Sequence, residues 1–134
     1  VLRYNRFEKY DGHHDYFDPS LYKNDPHTQK LIAGGRRNRL ATAFFYLSDV
    51  DAGGETIFYR AGGLPQPRSF DDCGSDRYLK VKPEKGKIIL FYSLKYSGEL
   101  DEYSLHGGCP VEGGVKWSGN KWIWNEKTAI SEYR

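Results

Sequence analysis

The chain is 134 residues long, enough for one domain whose core needs neither a metal nor a disulfide to hold it. Its 20 basic and 18 acidic residues leave a net charge of +2, which gives no case for nucleic acid as the main partner. No apolar run approaches the roughly 18–20 residues of a membrane span.

The opening "VLRY" reads as a strand. With no initiator methionine and no signal-peptide pattern, the sequence reads as a single domain, 1–134, of a longer protein. Next comes "YDGHHDYF". In an extended strand residues i and i+2 share a face, so His13 and Asp15 point one way and His14 the other. The stretch Leu21–Gly35, "LYKNDPHTQKLIAGG", lacks clean periodicity and reads as a long excursion with one helical turn, leaving His27 in solvent. "GGRRNR" places Arg36 and Arg37 in a solvated loop. Arg39 then opens the strand "RLATAFFYL" (Arg39–Leu47), in which Thr42, Phe44 and Tyr46 alternate against Ala41, Ala43, Phe45 and Leu47. At the strand end, Arg39 suits a rim position able to meet peptide carbonyls.

Beyond the "DAGGET" turn, Tyr59–Arg77 is a second excursion rich in glycine and proline. Long loops in a small β domain are usually functional or mobile, and a lid is one use for them. Strands follow at Tyr78–Pro83, Lys87–Leu94 and Asn120–Asn125, with glycine turns at "PEKGK", "HGGCPVEGG" and "WSGNK". Many short antiparallel strands with long loops at one end predict a mainly β jelly roll.

The chemistry-bearing residues lie within this pattern. His106, in "SLHGGCP", is the better candidate to join His13 and Asp15. Two histidines and one carboxylate leave coordination positions open, as in non-haem iron oxygenases, but the same ligand types also suit catalytic zinc. Lys116 sits between apolar neighbours, where a buried ammonium is costly unless an anion meets it. A dicarboxylate could chelate the metal at one end and meet this cation at the other. Alternatively, Lys116 is exposed with its stem covering Trp117. Trp117 and Trp122 fall on opposite strand faces, so at least one is expected in the core. The phenol of Tyr10 either orients a substrate or bonds to backbone. Cys73 and Cys109 lack zinc spacing; they are two buried thiols, or one disulfide worth ~4 kcal/mol, which implies an oxidising compartment.

In order and spacing, "LRYNRFEKYDGHHDYF", "RLATAFFYLSDVDAGGETIF", "VKPEKGKIILFYSLKYSGELDEYSLHGGCPVEGGVKW" and "NKWIW" resemble the prolyl 4-hydroxylase family of Fe(II)- and 2-oxoglutarate-dependent dioxygenases. The likeness is nearest to the plant and algal type, in the collagen-like branch. It implies a double-stranded β-helix (jelly-roll) core, and the family's bracing helices before the first strand have no counterpart here. It also implies Fe(II) on His13, Asp15 and His106, with Lys116 pairing with the distal carboxylate of 2-oxoglutarate and Tyr4 and Thr56 as further cosubstrate contacts. Tyr10, Arg39 and Trp122 match peptide-groove positions.

The same resemblance implies O2 as oxidant, ascorbate as auxiliary reductant, and a proline-rich or collagen-like peptide as substrate. It further implies a Cys73–Cys109 disulfide and residence in the endoplasmic reticulum or Golgi. Trp124 departs from the family pattern, which carries histidine there, and this bears on peptide preference. Two rival classes remain. A zinc hydrolase would lack an evident general base and leave Lys116 unexplained; a non-catalytic jelly roll would keep the metal site and bind peptide or glycan.

Overall fold

A computed structural model describes residues 1–127; residues 128–134, the end of the expected domain, lie outside the described residues. In chain order the strands are β1 (Leu2–Tyr4), β2 (Tyr10–His13), β3 (Arg39–Tyr46), β4 (Ala52–Gly53), β5 (Thr56–Phe58), β6 (Leu79–Val81), β7 (Ile88–Tyr92), β8 (His106–Gly108), β9 (Val111–Gly113) and β10 (Lys116–Trp124). The α-helix among the described residues is α1 (Pro26–Leu31), and no helix is long and apolar enough to cross a membrane.

Every strand pairs antiparallel. A major sheet has the order β1-β10-β3-β7, a minor sheet β2-β8-β5-β6, and β4-β9 form a ribbon. The expected jelly roll is present. The two large sheets face each other: the Tyr46 hydroxyl on β3 donates to Thr56 Oγ1 on β5 at 2.7 Å, and Phe58 meets Phe91 edge-on with ring centroids 5.2 Å apart.

Side-chain alternation sorts the major sheet. Thr42 and Tyr46 turn inward and are buried, while Ile88, Leu90, Tyr92, Trp117 and Ile123 lie exposed on its outer face. The expectation of a core tryptophan therefore fails. Trp117 is 42% and Trp122 38% exposed, because alternation along β10 puts one on the outer face and the other at the lip of the space between the sheets. Glycine also misled the reading of β10. "WSGNK" predicts a turn, yet Ser118 pairs with Leu2 on one side and Tyr46 on the other and Gly119 pairs with Phe45, and this pairing overrides the weak strand preference of glycine. Likewise "HGGCPVEGG" is not one turn but contains β8 and β9.

The two excursions are both anchored. In the first, Asp25 caps α1 by accepting from the backbone N–H of Thr28 at 3.1 Å, with Pro26 at the first helical position, where its missing N–H costs nothing. Buried Asn38 closes the base: its amide donates to Phe17 O at 2.7 Å and accepts from Phe17 N at 2.9 Å. The second excursion packs behind the minor sheet. There Ile57, Tyr59, Tyr78, Leu105 and Cys109 form an apolar cluster with Leu64, Phe70 and Cys73 against it. Cys73 and Cys109 are disulfide-bonded, which closes the choice between thiols and a bridge.

Candidate metal centre

His13 and His106 are a cross-strand pair at the β2–β8 ladder, with ring centroids 4.5 Å apart. Asp15 does converge on them, but not through strand alternation. β2 ends at His13, and Asp15 lies in the bend beyond it. The opposite sheet holds Asp15 in place: the Thr42 hydroxyl donates to its Oδ2 at 2.6 Å, and the Arg39 guanidinium donates to its carbonyl at 3.2 Å. The outcome matches the expected pair, while its cause is a bend clamped by the major sheet. His14 turns aside, with Nε2 3.2 Å from Glu102 O and its ring stacked on Tyr16.

One ligand atom from each of His13, Asp15 and His106 lies within 4.8 Å of the other two. Each imidazole is oriented from behind. Nδ1 of His13 is 2.8 Å from Asp11 O, and Nδ1 of His106 is 2.8 Å from Ser104 O. A carbonyl can only accept, so both Nδ1 atoms carry the proton and both Nε2 lone pairs are free for a cation. Burial, followed by the charge of neighbouring His13, brings His106 down to about 4. It is therefore neutral at pH 7, as a ligand must be. Two imidazoles and one carboxylate fit a divalent iron and leave coordination positions open.

Lys116 is 3% exposed, which excludes the solvent-facing alternative. Its ammonium donates to Gly54 O at 2.7 Å, and the rings of Tyr4, Phe44 and Tyr46 lie 5.4–5.6 Å away. Gly54 belongs to the "GGET" turn, where Gly53 and Gly54 both sit at φ +71°, a region costly to residues with a Cβ. Burial brings Lys116 down to about 8. Among the described residues no carboxylate lies within ion-pair distance of it. A buried cation with no anion is the feature a dicarboxylate would complete.

A cavity of ≈ 560 Å³ joins these groups; it is lined by the three metal-binding candidates, Lys116, Tyr4 and Thr56, and at its lip by Tyr10, Arg39 and Trp122. All nine expected positions meet in one space. Tyr10 is half exposed, with its ring 4.2 Å from that of His13. The Arg39 guanidinium lies 3.7 Å over Trp122 and 4.7 Å from Phe17, and Phe17 stacks on Trp124. His27 is exposed, as expected.

Sequence reasoning did not single out Thr42, which orients the carboxylate, or Tyr46, which fixes Thr56. The alternation of Thr42, Phe44 and Tyr46 was the available signal. It placed them on one face without saying that the face was the site. Asn120 was also missed; it lines the cavity, and its Oδ1 is buried without a partner. It shares a strand face with Lys116 and Trp122, four and two residues from them.

Two facing antiparallel sheets hold this triad and a buried cation between them, the layout of a double-stranded β-helix with a candidate metal centre. The family model described as "2OG-Fe(II) oxygenase superfamily" matches residues 1–124, and the chain belongs to that family. It is 43% identical over 128 residues to probable prolyl 4-hydroxylase 3 of Arabidopsis thaliana, covering 92% of this chain and 40% of that protein. It is 42% identical over 129 residues to Arabidopsis prolyl 4-hydroxylase 2, with the same coverage. The chain thus spans about 40% of the length of these relatives. Among solved structures it resembles the 2OG complex of a viral collagen prolyl hydroxylase from Paramecium Bursaria Chlorella virus-1, with TM-score 0.65, 29% identity, and 93% of this chain on 56% of that one.

Proposed function

We propose that the chain is the catalytic domain of an Fe(II)- and 2-oxoglutarate-dependent dioxygenase that hydroxylates peptidyl proline at C4. The observation that carries this reading is buried, anion-free Lys116 in the same cavity as the His13–Asp15–His106 cluster. A zinc hydrolase gives that cation no task, and a passive peptide- or glycan-binding module gives no return for its burial.

His13, Asp15 and His106 hold the metal. Lys116 takes the distal carboxylate of 2-oxoglutarate, with Tyr4 and the Tyr46–Thr56 pair shaping the space around it. With both bound, iron and keto acid supply the oxidation: O2 is consumed, 2-oxoglutarate leaves as succinate and carbon dioxide, one oxygen atom enters a C–H bond, and ascorbate serves as auxiliary reductant. The protein's part is geometric. The rings of Tyr4, Phe44 and Tyr46 around Lys116 exclude water and strengthen its pairing with an anion.

Tyr10, Trp122 and Arg39 form the lip, where flat apolar faces and a guanidinium suit a proline-rich or collagen-like peptide in an extended, polyproline-type conformation. Trp124, packed on Phe17, gives that groove an apolar flank in place of the family's imidazole. The Cys73–Cys109 bond supports residence in the secretory pathway, in the endoplasmic reticulum or Golgi. The test is succinate release by the intact protein given Fe(II), 2-oxoglutarate and a proline-rich peptide, with mass analysis of the peptide. Succinate matched by one added oxygen on proline is expected; peptide binding with no succinate would overturn the reading.

A further inference from the structure

We infer that the 59–77 excursion is the positioning element of the metal centre, with Phe70 and the Cys73–Cys109 bond setting the distance between the strands that carry His13 and His106. The inference rests on the proposed ligand set.

β2 is a weak support for a ligand. It is four residues long, lies at the edge of the minor sheet, and pairs with β8 only at Tyr10–Gly108 and His13–His106, with an irregularity between them. An edge strand with so short a ladder would fray. What holds it lies on the side away from the cavity. The Phe70 ring presses on Gly12, the residue before His13, so closely that a side chain at Gly12 would run into it. The next residue, Asp71, takes the Lys9 ammonium at 2.6 Å just ahead of the strand. Exposure makes that ion pair the lesser part of the contact.

The same few residues also grip β8. The Tyr59 hydroxyl donates to Phe70 O at 2.9 Å, and its ring lies against Gly107, where an added Cβ would come within 3.2 Å of it. Cys73 is bonded to Cys109, the residue after β8, whose own N–H donates to Glu55 O at 2.8 Å. One short segment therefore touches β2 at the residue preceding one imidazole and is covalently tied to β8 three residues beyond the other. Both imidazoles project to the opposite face of the same sheet, so a shift of either strand moves its Nε2 directly. At Gly12 the Phe70 ring occupies the space a side chain would need, and at Gly107 Tyr10 O of β2 and the Tyr59 ring share it.

The test is Co(II) binding by the intact protein under anaerobic conditions, followed by titration and by the visible spectrum of the bound ion, which reports coordination geometry. Phe70→Ala and the double variant Cys73→Ala/Cys109→Ala are expected to weaken Co(II) at least tenfold, the range for partners that orient metal ligands, and to alter the spectrum. Phe70→Leu, which refills most of the space, should restore both. Ile32→Val, in a fully buried position outside this cluster, should lower stability yet leave affinity and spectrum unchanged.

Wild-type affinity and spectrum in Phe70→Ala, or in the cysteine variant should Phe70→Ala not fold, would overturn the inference. Absence of Co(II) binding in the wild type, or binding that survives His106→Ala, would overturn the ligand set itself and the clamp with it.

Discussion

Replacing Thr42 by valine removes one hydroxyl and almost no volume. Thr42 is 0% and Asp15 5% exposed, and the Oγ1–Oδ2 distance is 2.6 Å. This is a short, buried hydrogen bond to a carboxylate, of a class worth ~1.5–3 kcal/mol. Oδ2 is also the oxygen 3.8 Å from His106 Nε2, while Oδ1 stands 3.8 Å from His13 Nε2. Thr42 thus fixes which way the carboxylate plane faces between the two imidazoles. Without the hydroxyl, Asp15 must be ordered by the metal itself. At 1.4 kcal/mol per decade, the loss corresponds to roughly tenfold to a hundredfold weaker metal binding, in line with other outer-shell partners. Competitive titration of Fe(II) or Mn(II) against a chelating dye measures it, with Thr42→Ser, which keeps the hydroxyl, as the control. If valine binds metal as tightly as threonine, the clamp on Asp15 has no bearing on the centre.

Three further outcomes follow from the same geometry. Lys116→Ala should weaken 2-oxoglutarate by about a hundredfold, because truncating one partner of a buried charge pair costs ~2–5 kcal/mol, while metal affinity stays put; calorimetry of each ligand separates the two. Lys116 also makes opposite predictions for binding and folding as pH rises. Its folded value of about 8 lies below the ordinary 10.5, so 2-oxoglutarate affinity should fall as pH climbs past about 8. Between about 8 and 10.5 the unfolded chain holds the extra proton, so this group makes the ligand-free protein more stable with rising pH across that window; a flat affinity to pH 9.5 would refute the assignment. His14→Ala should keep metal affinity within about threefold, since the imidazole faces Glu102 O and Tyr16; a loss comparable to that expected of His13→Ala would show that the wrong histidine was chosen.

The metal triad and Lys116 were legible in the sequence because each is an unusual residue in a strand-like setting, and a family pattern fixed their order. Less of the supporting structure was visible, for reasons that particular residues show. Asp15 was paired with His13 by strand alternation, but β2 stops at His13, and the carboxylate arrives through a bend held by Thr42 and Arg39 from a distant segment. No local pattern encodes a contact between residues 15 and 42. Gly119 looked like a turn until β3 supplied its ladder partner, Phe45. At least one of Trp117 and Trp122 was expected in the core, but Trp117 lies on the outer face of the major sheet among other exposed apolar side chains and Trp122 lines the cavity. A lid was one use open to both excursions, and the second packs behind the minor sheet, where its disulfide and Phe70 hold it. In each case pairing and packing between distant segments decided what local periodicity left open.

The central claim is that one cavity holds a ferrous ion on three side chains and a keto acid between that ion and Lys116. Anaerobic addition of Fe(II) and 2-oxoglutarate to the intact protein tests it directly, through the visible charge-transfer absorption of a keto acid chelated to iron. The account predicts a band that saturates at one iron and one keto acid per chain, disappears in His106→Ala, and in Lys116→Ala needs far more keto acid to develop. A wild-type protein that gives no band, or a band indifferent to both substitutions, would contradict it.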